Sequence, residues 1–192
     1  MSEAEAYDWS QFHVRMYYLA SMDEVFARFS TSAGLESFFI YRASHTTPAG
    51  DVRDRDESIQ AGDRYEWEYV HDYRHGGEFL AVVANERVDF SFGSMHVSVR
   101  FREVGEAIEV DLHQTQCATD DPDRAWQHVN CRSCWIYFLT NLRSILAGGP
   151  DVRDFEHPNW NDSVSIGFLP GGPVGEPRDR GERVEKLEKG VR

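Results

Sequence analysis

Lysine is nearly absent. Only Lys186 and Lys189 carry it, and the rest of the 20 basic residues are arginine, against 33 acidic ones. The formal charge of −13 weighs against nucleic acid and anionic membranes as partners, since both would be repelled at long range. An acid excess with so little lysine fits a salt-adapted cytoplasm, and equally an ordinary acidic soluble protein. Cysteine is scarce: Cys117, Cys131 and Cys134 form an odd, sparse set that is no disulfide framework. No window approaches the ~20 apolar residues of a membrane span. The opening MSEAEAYDWS is acidic and lacks the apolar run of a secretory leader. No internal repeat is visible. A reducing cytoplasm is the expected compartment.

What is present is a core for one domain. Hydrophobic residues make up 41% of the 192 and aromatic residues 13%. The only long stretch with sustained helical periodicity is 123–148. There Cys131, Trp135, Phe138, Leu139, Leu142, Ile145 and Leu146 recur every three or four residues and share one face. Asp121-Pro122-Asp123 supplies an N-terminal signal and Gly148-Gly149-Pro150 a stop.

Upstream, the period changes from helical to alternating. Residues 11–19 place Phe12, Val14, Met16 and Tyr18 on one face, which predicts a half-buried strand. Ser21, with Glu24 three residues on, predicts a short capped helix, and 32–38 predicts a second. Residues 43–61 read as a long polar loop with a strand remnant near 39–42. From Gly62 onward, strands follow one another: Tyr65, Trp67 and Tyr69 alternate with Glu66 and Glu68, and DYRHGG makes a turn. Further strands cover 78–85, 87–92, 95–102 and 107–116, each with one apolar face. This is an antiparallel meander whose apolar side the 123–148 helix can cover. Beyond Gly149 prolines, glycines and charges accumulate. VSIGFLP at 164–170 is an apolar island able to strap onto the domain or a second subunit, and 181–192 reads as a marginal terminal helix.

This order, with AGDRYEWEYV at 61–70, FSFG at 90–93, VSVRF then VDLHQTQ at 110–116, and CWIYFLTNLRSILAGGPDVR at 134–153, resembles the helix-grip fold of the START-like (SRPBCC) superfamily. Within it the chain is similar to the branch of heat-shock protein 90 ATPase activator homologues. Cys134 departs from the glycine usual before the tryptophan. The resemblance spans about 9–155 and implies an α+β fold: a curved antiparallel sheet of about six or seven strands around a long C-terminal helix, with two short helices after the first strand. Residues 156–192 form a C-terminal extension. Members of such a scaffold family bind apolar ligands, catalyse cyclisations or assist chaperones in stress responses, so fold alone does not fix function.

The expected inward set is Tyr18, Tyr65, Trp67, Tyr69, Phe90, Phe92, Val99, Phe101, Leu112, Trp135, Phe138 and Leu142, with Gln114 (and Gln116) continuing the register. These side chains either line a pocket for a small hydrophobic ligand or fill it. Glu66, Glu68, Asp89, Glu109, Asp111 and His113 are expected outward, so no ionisable group should reach inside. An acid or base would have to come from loop residues: His45, Asp72, Tyr73 or His75. Cys131-x-x-Cys134 lies about two turns into its helix, the wrong place for a redox pair, and Cys131 falls on the buried stripe. His128 with these cysteines, and His71, Asp72 and His75 in one turn, lack the spacing of a complete metal shell. The reading is non-catalytic binding of an apolar or amphipathic, lipid-like or aromatic molecule, with no cofactor and no metal. The alternatives are a cyclase- or hydrolase-type enzyme and a chaperone-assisting interaction module. A homodimer is compatible with the tail.

Overall fold

Alternation of side chains builds the sheet. In the computed structural model, which describes residues 6–69, 73–121 and 123–156, seven strands form one antiparallel sheet: β1 (Phe12–Tyr18), β2 (Arg42–Thr46), β3 (Arg64–Glu68), β4 (Arg74–Val83), β5 (Arg87–Phe92), β6 (Met95–Val104) and β7 (Ala107–Thr115). Their order is β1-β7-β6-β5-β4-β3-β2, so β2 to β7 make a meander and β1 closes against its far end. The register sets Val14 opposite Leu112, Leu112 opposite Val99 and Val99 opposite Val88. All four are buried, so one apolar row crosses four strands on the inner face.

Helices α1 (Met22–Ser30) and α2 (Ser32–Phe38) follow β1. Ser21 Oγ accepts the Glu24 amide and Thr31 Oγ1 the Gly34 amide, so each helix opens on a side-chain cap. Helix α3 (Cys131–Leu146) lies against β1 and α2. Its buried apolar residues Cys131, Trp135, Leu139 and Leu142 belong to the predicted stripe. Gly148 takes the left-handed φ of 77° that ends it.

Three expectations need correction. The segment 43–61 is not wholly loop: Ala43–Thr46 pair with β3, and Thr46 bridges back to Val52. Arg53 N–H also donates to His45 O, so the loop folds over the outer edge of β2. The turn after β3 is shorter than DYRHGG, because β4 begins at Arg74 and takes in His75, Gly76 and Gly77. Gly77 is needed there, since a Cβ would come within 2.6 Å of the Tyr65 ring. The long helix is not regular throughout. Residues Ala125–Asn130 form a π-helical turn before α3, without a side-chain cap. The island at 164–170 and the terminal helix lie outside the described residues.

The end of α3 is tied to the α2–β2 corner by a polar clamp. Asn141 Nδ2 donates to Phe38 O and Asp151 Oδ1, while Asn141 Oδ1 accepts the Val152 amide. The Arg153 guanidinium donates to Ile40 O, Glu36 O and both oxygens of Asp151. Carbonyls left over at the end of α2 thus find donors from a segment more than a hundred residues away. Arg153→Ala orphans two main-chain acceptors and deprives the Asp151 carboxylate of its cation, and should destabilise the fold by about 3 kcal/mol. Arg153→Lys, which lacks the planar fork, should recover only a minor part. Urea unfolding followed by tryptophan fluorescence measures both; a loss within error of zero for Arg153→Ala would refute the clamp.

Candidate functional site

Between α3 and the inner face of the sheet the aromatic side chains close on one another. Phe39 sits at the centre. Its ring stacks on Trp135 at 4.8 Å and meets Trp67, Tyr69 and Phe138 edge-on. Trp67 in turn stacks on Tyr65 at 3.9 Å. These offset and edge-to-face contacts are the favourable ring geometries. They leave a void of about 10 Å3, lined by Phe29, Leu35, Phe38, Phe39, Trp67, Phe79, Val88, Phe90, Val99 and Trp135. That is room for about one water. The lining is wholly apolar.

Of the predicted inward set, Trp67, Phe90, Val99 and Trp135 line this void. Tyr65 packs on Trp67 and Phe92 on Trp135, while Tyr69 and Phe138 meet Phe39. Tyr69, Phe92 and Phe138 are only partly buried, which places them at the rim of the void. Tyr18, Phe101, Leu112 and Leu142 are buried elsewhere in the core. Tyr18 OH donates to Leu139 O, and Phe101 packs edge-on against Phe26 and Phe29. Six lining residues, Phe29, Leu35, Phe38, Phe39, Phe79 and Val88, lie outside the predicted set, and Phe39 makes the most ring contacts of them. Its signal was the run Phe38-Phe39-Ile40, apolar through the end of a helix and into the next strand.

Gln114 is buried as the register predicted, and the protein itself uses its amide. Its Oε1 accepts from Trp135 Nε1, and its Nε2 donates to Gln127 O and lies 2.8 Å from Met95 Sδ. The glutamine therefore ties β7 to Trp135 and to the π-helical turn.

The expectation that no ionisable group reaches inside is overturned by His45. It lies on β2, not in a loop, and is 0% exposed. Trp67 Nε1 donates to its Nε2 at 3.3 Å, so Nδ1 carries the proton toward Ser32 Oγ at 3.1 Å. Burial, reinforced by Arg53 and opposed by Asp63, pushes its pKa down to about 4. The ring is neutral at pH 7 with both nitrogens engaged, so it holds β2, β3 and α2 together and offers no free base. His75 is also a strand residue. It lies edge-on to Phe92, accepts the Gly93 amide through Nε2, and has its pKa lowered by burial. Tyr73 lies 5.6 Å from Tyr69. His71 and Asp72 fall outside the described residues. Asp89 and Glu109, expected outward, are nearly buried, but on the outer face: Glu109 accepts from Tyr17 OH and Arg102.

No disulfide joins the cysteines. Burial pushes the Cys131 thiol up to about 12, the neighbouring Cys134 adding to the shift, and burial raises Cys117 as well. A thiol so disfavoured as thiolate is a poor nucleophile. Gln116, between β7 and Cys117, is one of two non-glycine residues among those described with a left-handed φ, 62°.

Two measurements follow from these environments. The His45 pKa is lower folded than unfolded, so between pH 6.5 and about 4 the unfolded chain takes up a proton that the folded chain refuses. Stability is complete above 6.5 and falls on acidification, by on the order of 3 kcal/mol from this group. His45→Gln should be less stable at pH 7 yet show a shallower loss between pH 6.5 and 4 in urea titrations; an unchanged slope would refute the assignment. At pH 8 in native protein, iodoacetamide should label Cys117 and Cys131 only after unfolding, as peptide mass mapping would show.

The comparisons agree with the fold. Residues 19–147 match the family described as activator of Hsp90 ATPase homolog 1-like protein. No curated protein matches. Among solved structures, protein SSP2350 from Staphylococcus saprophyticus is 17% identical with a TM-score of 0.59, over 74% of this chain and 96% of that one. The Aha1 dimer from Colwellia psychrerythraea is 14% identical with a TM-score of 0.57, over 71% and 95%. DynU16, from the dynemicin biosynthetic locus, is 15% identical with a TM-score of 0.60, over 76% of this chain and 50% of that one. At these identities the structures show the fold alone. With most of its length matched by the family and the sheet, paired helices and closing helix in place, the chain belongs to the Hsp90 ATPase activator homologue-like branch of the START-like superfamily.

Proposed function

We propose that the domain, residues 9–155, binds a small apolar or amphipathic molecule between α3 and the inner face of the sheet, without catalysing its conversion. The observation that carries this is the void among Phe39, Trp67, Phe90 and Trp135, whose ten lining residues include no acid, base or nucleophile. Aromatic walls favour a flat or chain-like ligand. A void of about 10 Å3 is too small for it, so binding requires α3 to part from the sheet. The irregular backbone beside Trp135, with its π-helical turn and the left-handed Gln116, is the place for that movement. A cyclase-type reading lacks a free acid or base at the void, since the nitrogens of His45 are taken.

A second reading, a chaperone-assisting or self-associating module, is favoured by the closed interior itself. The Colwellia neighbour is described as a dimer. Among the described residues no helix is long and apolar enough to cross a membrane, and a cytoplasmic place is part of the proposal.

Organic extraction of natively purified protein, followed by mass spectrometry, should release an apolar species in stoichiometric amount. A naphthyl probe added to stripped protein should quench the Trp67 and Trp135 emission and slow amide exchange over 116–131. No released species and no saturable quenching would remove the ligand reading and leave the partner-binding one.

A further inference from the structure

The face of the sheet turned away from α3 carries a second, larger concavity, a cleft of about 500 Å3. Four arginines line it, Arg15, Arg87, Arg100 and Arg102. Two have carboxylate partners within the cleft: Arg15 Nε lies 3.1 Å from Asp111 and Arg102 Nη2 lies 2.8 Å from Glu109. Of the other two, Arg87 has one distant partner outside the cleft lining, Asp89, and Arg100 has none among the described residues. Arg87 and Arg100 stand directly opposite each other on β5 and β6. Arg87 Nε approaches Asp89 only at 3.5 Å and is buried without a hydrogen-bond acceptor. Arg100 has no carboxylate within ion-pair distance among the described residues, although Asp111 is its register partner on β7. The oxygens of Asp111 are committed to His13 Nδ1 and Arg15 Nε.

Like charges directly opposite on adjacent strands destabilise a sheet. Here the pair occurs in a chain with 13 more acids than bases, yet Asp89 reaches Arg87 only at 3.5 Å and no carboxylate pairs with Arg100 among the described residues. Two further buried atoms without hydrogen-bond partners, Asp89 Oδ1 and Ser98 Oγ, belong to the pair two register positions along the same two strands. Three of the four such atoms among the described residues therefore gather beside this one arginine pair.

We propose that Arg87 and Arg100 hold the oxyanion of a small carboxylate- or phosphate-bearing molecule on the outer face of the sheet. Two arginines on register partners that line one cleft can offer planar N–H donors to the oxygens of either anion. Glu86, on the rim, with Glu109 and Asp111 already engaged, disfavours a ligand of high negative charge. This site is independent of the apolar void, and each can fail without the other.

The probes are inorganic phosphate and succinate, titrated at constant ionic strength into 15N-labelled full-length protein. An anion held by two partly exposed guanidiniums is expected to bind with a Kd of a few millimolar or about that order. Saturable shifts should appear at the Arg87 and Arg100 amides and at the Arg87 Nε–H signal; which probe binds more tightly distinguishes carboxylate from phosphate. Arg100→Gln should weaken binding about tenfold or more, whereas Arg74→Gln, the same charge change on an exposed arginine of β4, should leave it intact. Without anion, Arg100→Gln should melt at the same temperature as the parent or higher, since it relieves the repulsion. No saturable shift, or equal weakening by Arg74→Gln and Arg100→Gln, would overturn the proposal.

Discussion

Trp135 is where the layers of the molecule meet. Its ring lies on Phe39, which ends α2, and faces Phe90 and Phe92 of β5. Its indole N–H is held by Gln114 of β7. One side chain thus fixes the distance of α3 from the sheet, its rotation about its own axis, and the position of the helix pair. Burying so large a ring is worth several kcal/mol, but the hydrogen bond decides the geometry. A buried indole N–H without an acceptor is costly, and Gln114 can serve it only in one orientation. The stripe of α3 supplies adhesion, and the Trp135–Gln114 contact supplies register.

That division explains what was legible beforehand. Period-2 and period-3.6 patterns mark surfaces that must be buried, so the strands from Tyr65 to Gln114, the first strand and the closing helix could be read from apolar spacing alone. His45 could not. Its strand, RASHT, has no apolar alternation, and its burial depends on partners at Ser32 and Trp67 that only the fold brings near. The same holds for Arg153, which follows a helix stop and looks like surface charge until its guanidinium is seen among the carbonyls of Glu36 and Ile40. The π-helical turn has no pattern of its own, since Ala125–Asn130 would suit an ordinary helix equally well. Buried polar groups are placed by partners distant in sequence, and spacing rules see only near neighbours.

For the candidate site, sequence pattern identified the wall but not how full the space behind it is. Facing was legible for Trp67, Phe90, Val99 and Trp135; volume was not. Whether a row of rings encloses a chamber or occupies it depends on angstrom-scale offsets between strands and on residues contributed from outside the sheet, Phe39 at their centre. Aromatic content is therefore a guide to the chemistry of the interior and not to its capacity.

The loop that folds back over β2 has a further consequence. An open sheet offers its two outermost strands as templates for other chains. On the β2 side, the Thr46–Val52 bridge and the Arg53 amide on His45 O already occupy part of that template. Strand-by-strand growth of the sheet, whether into an ordered dimer or into an aggregate, is thereby steered to the opposite border, where among the described residues β1 has only β7 beside it. The molecule is polar in this architectural sense: blunt at one margin and extensible at the other.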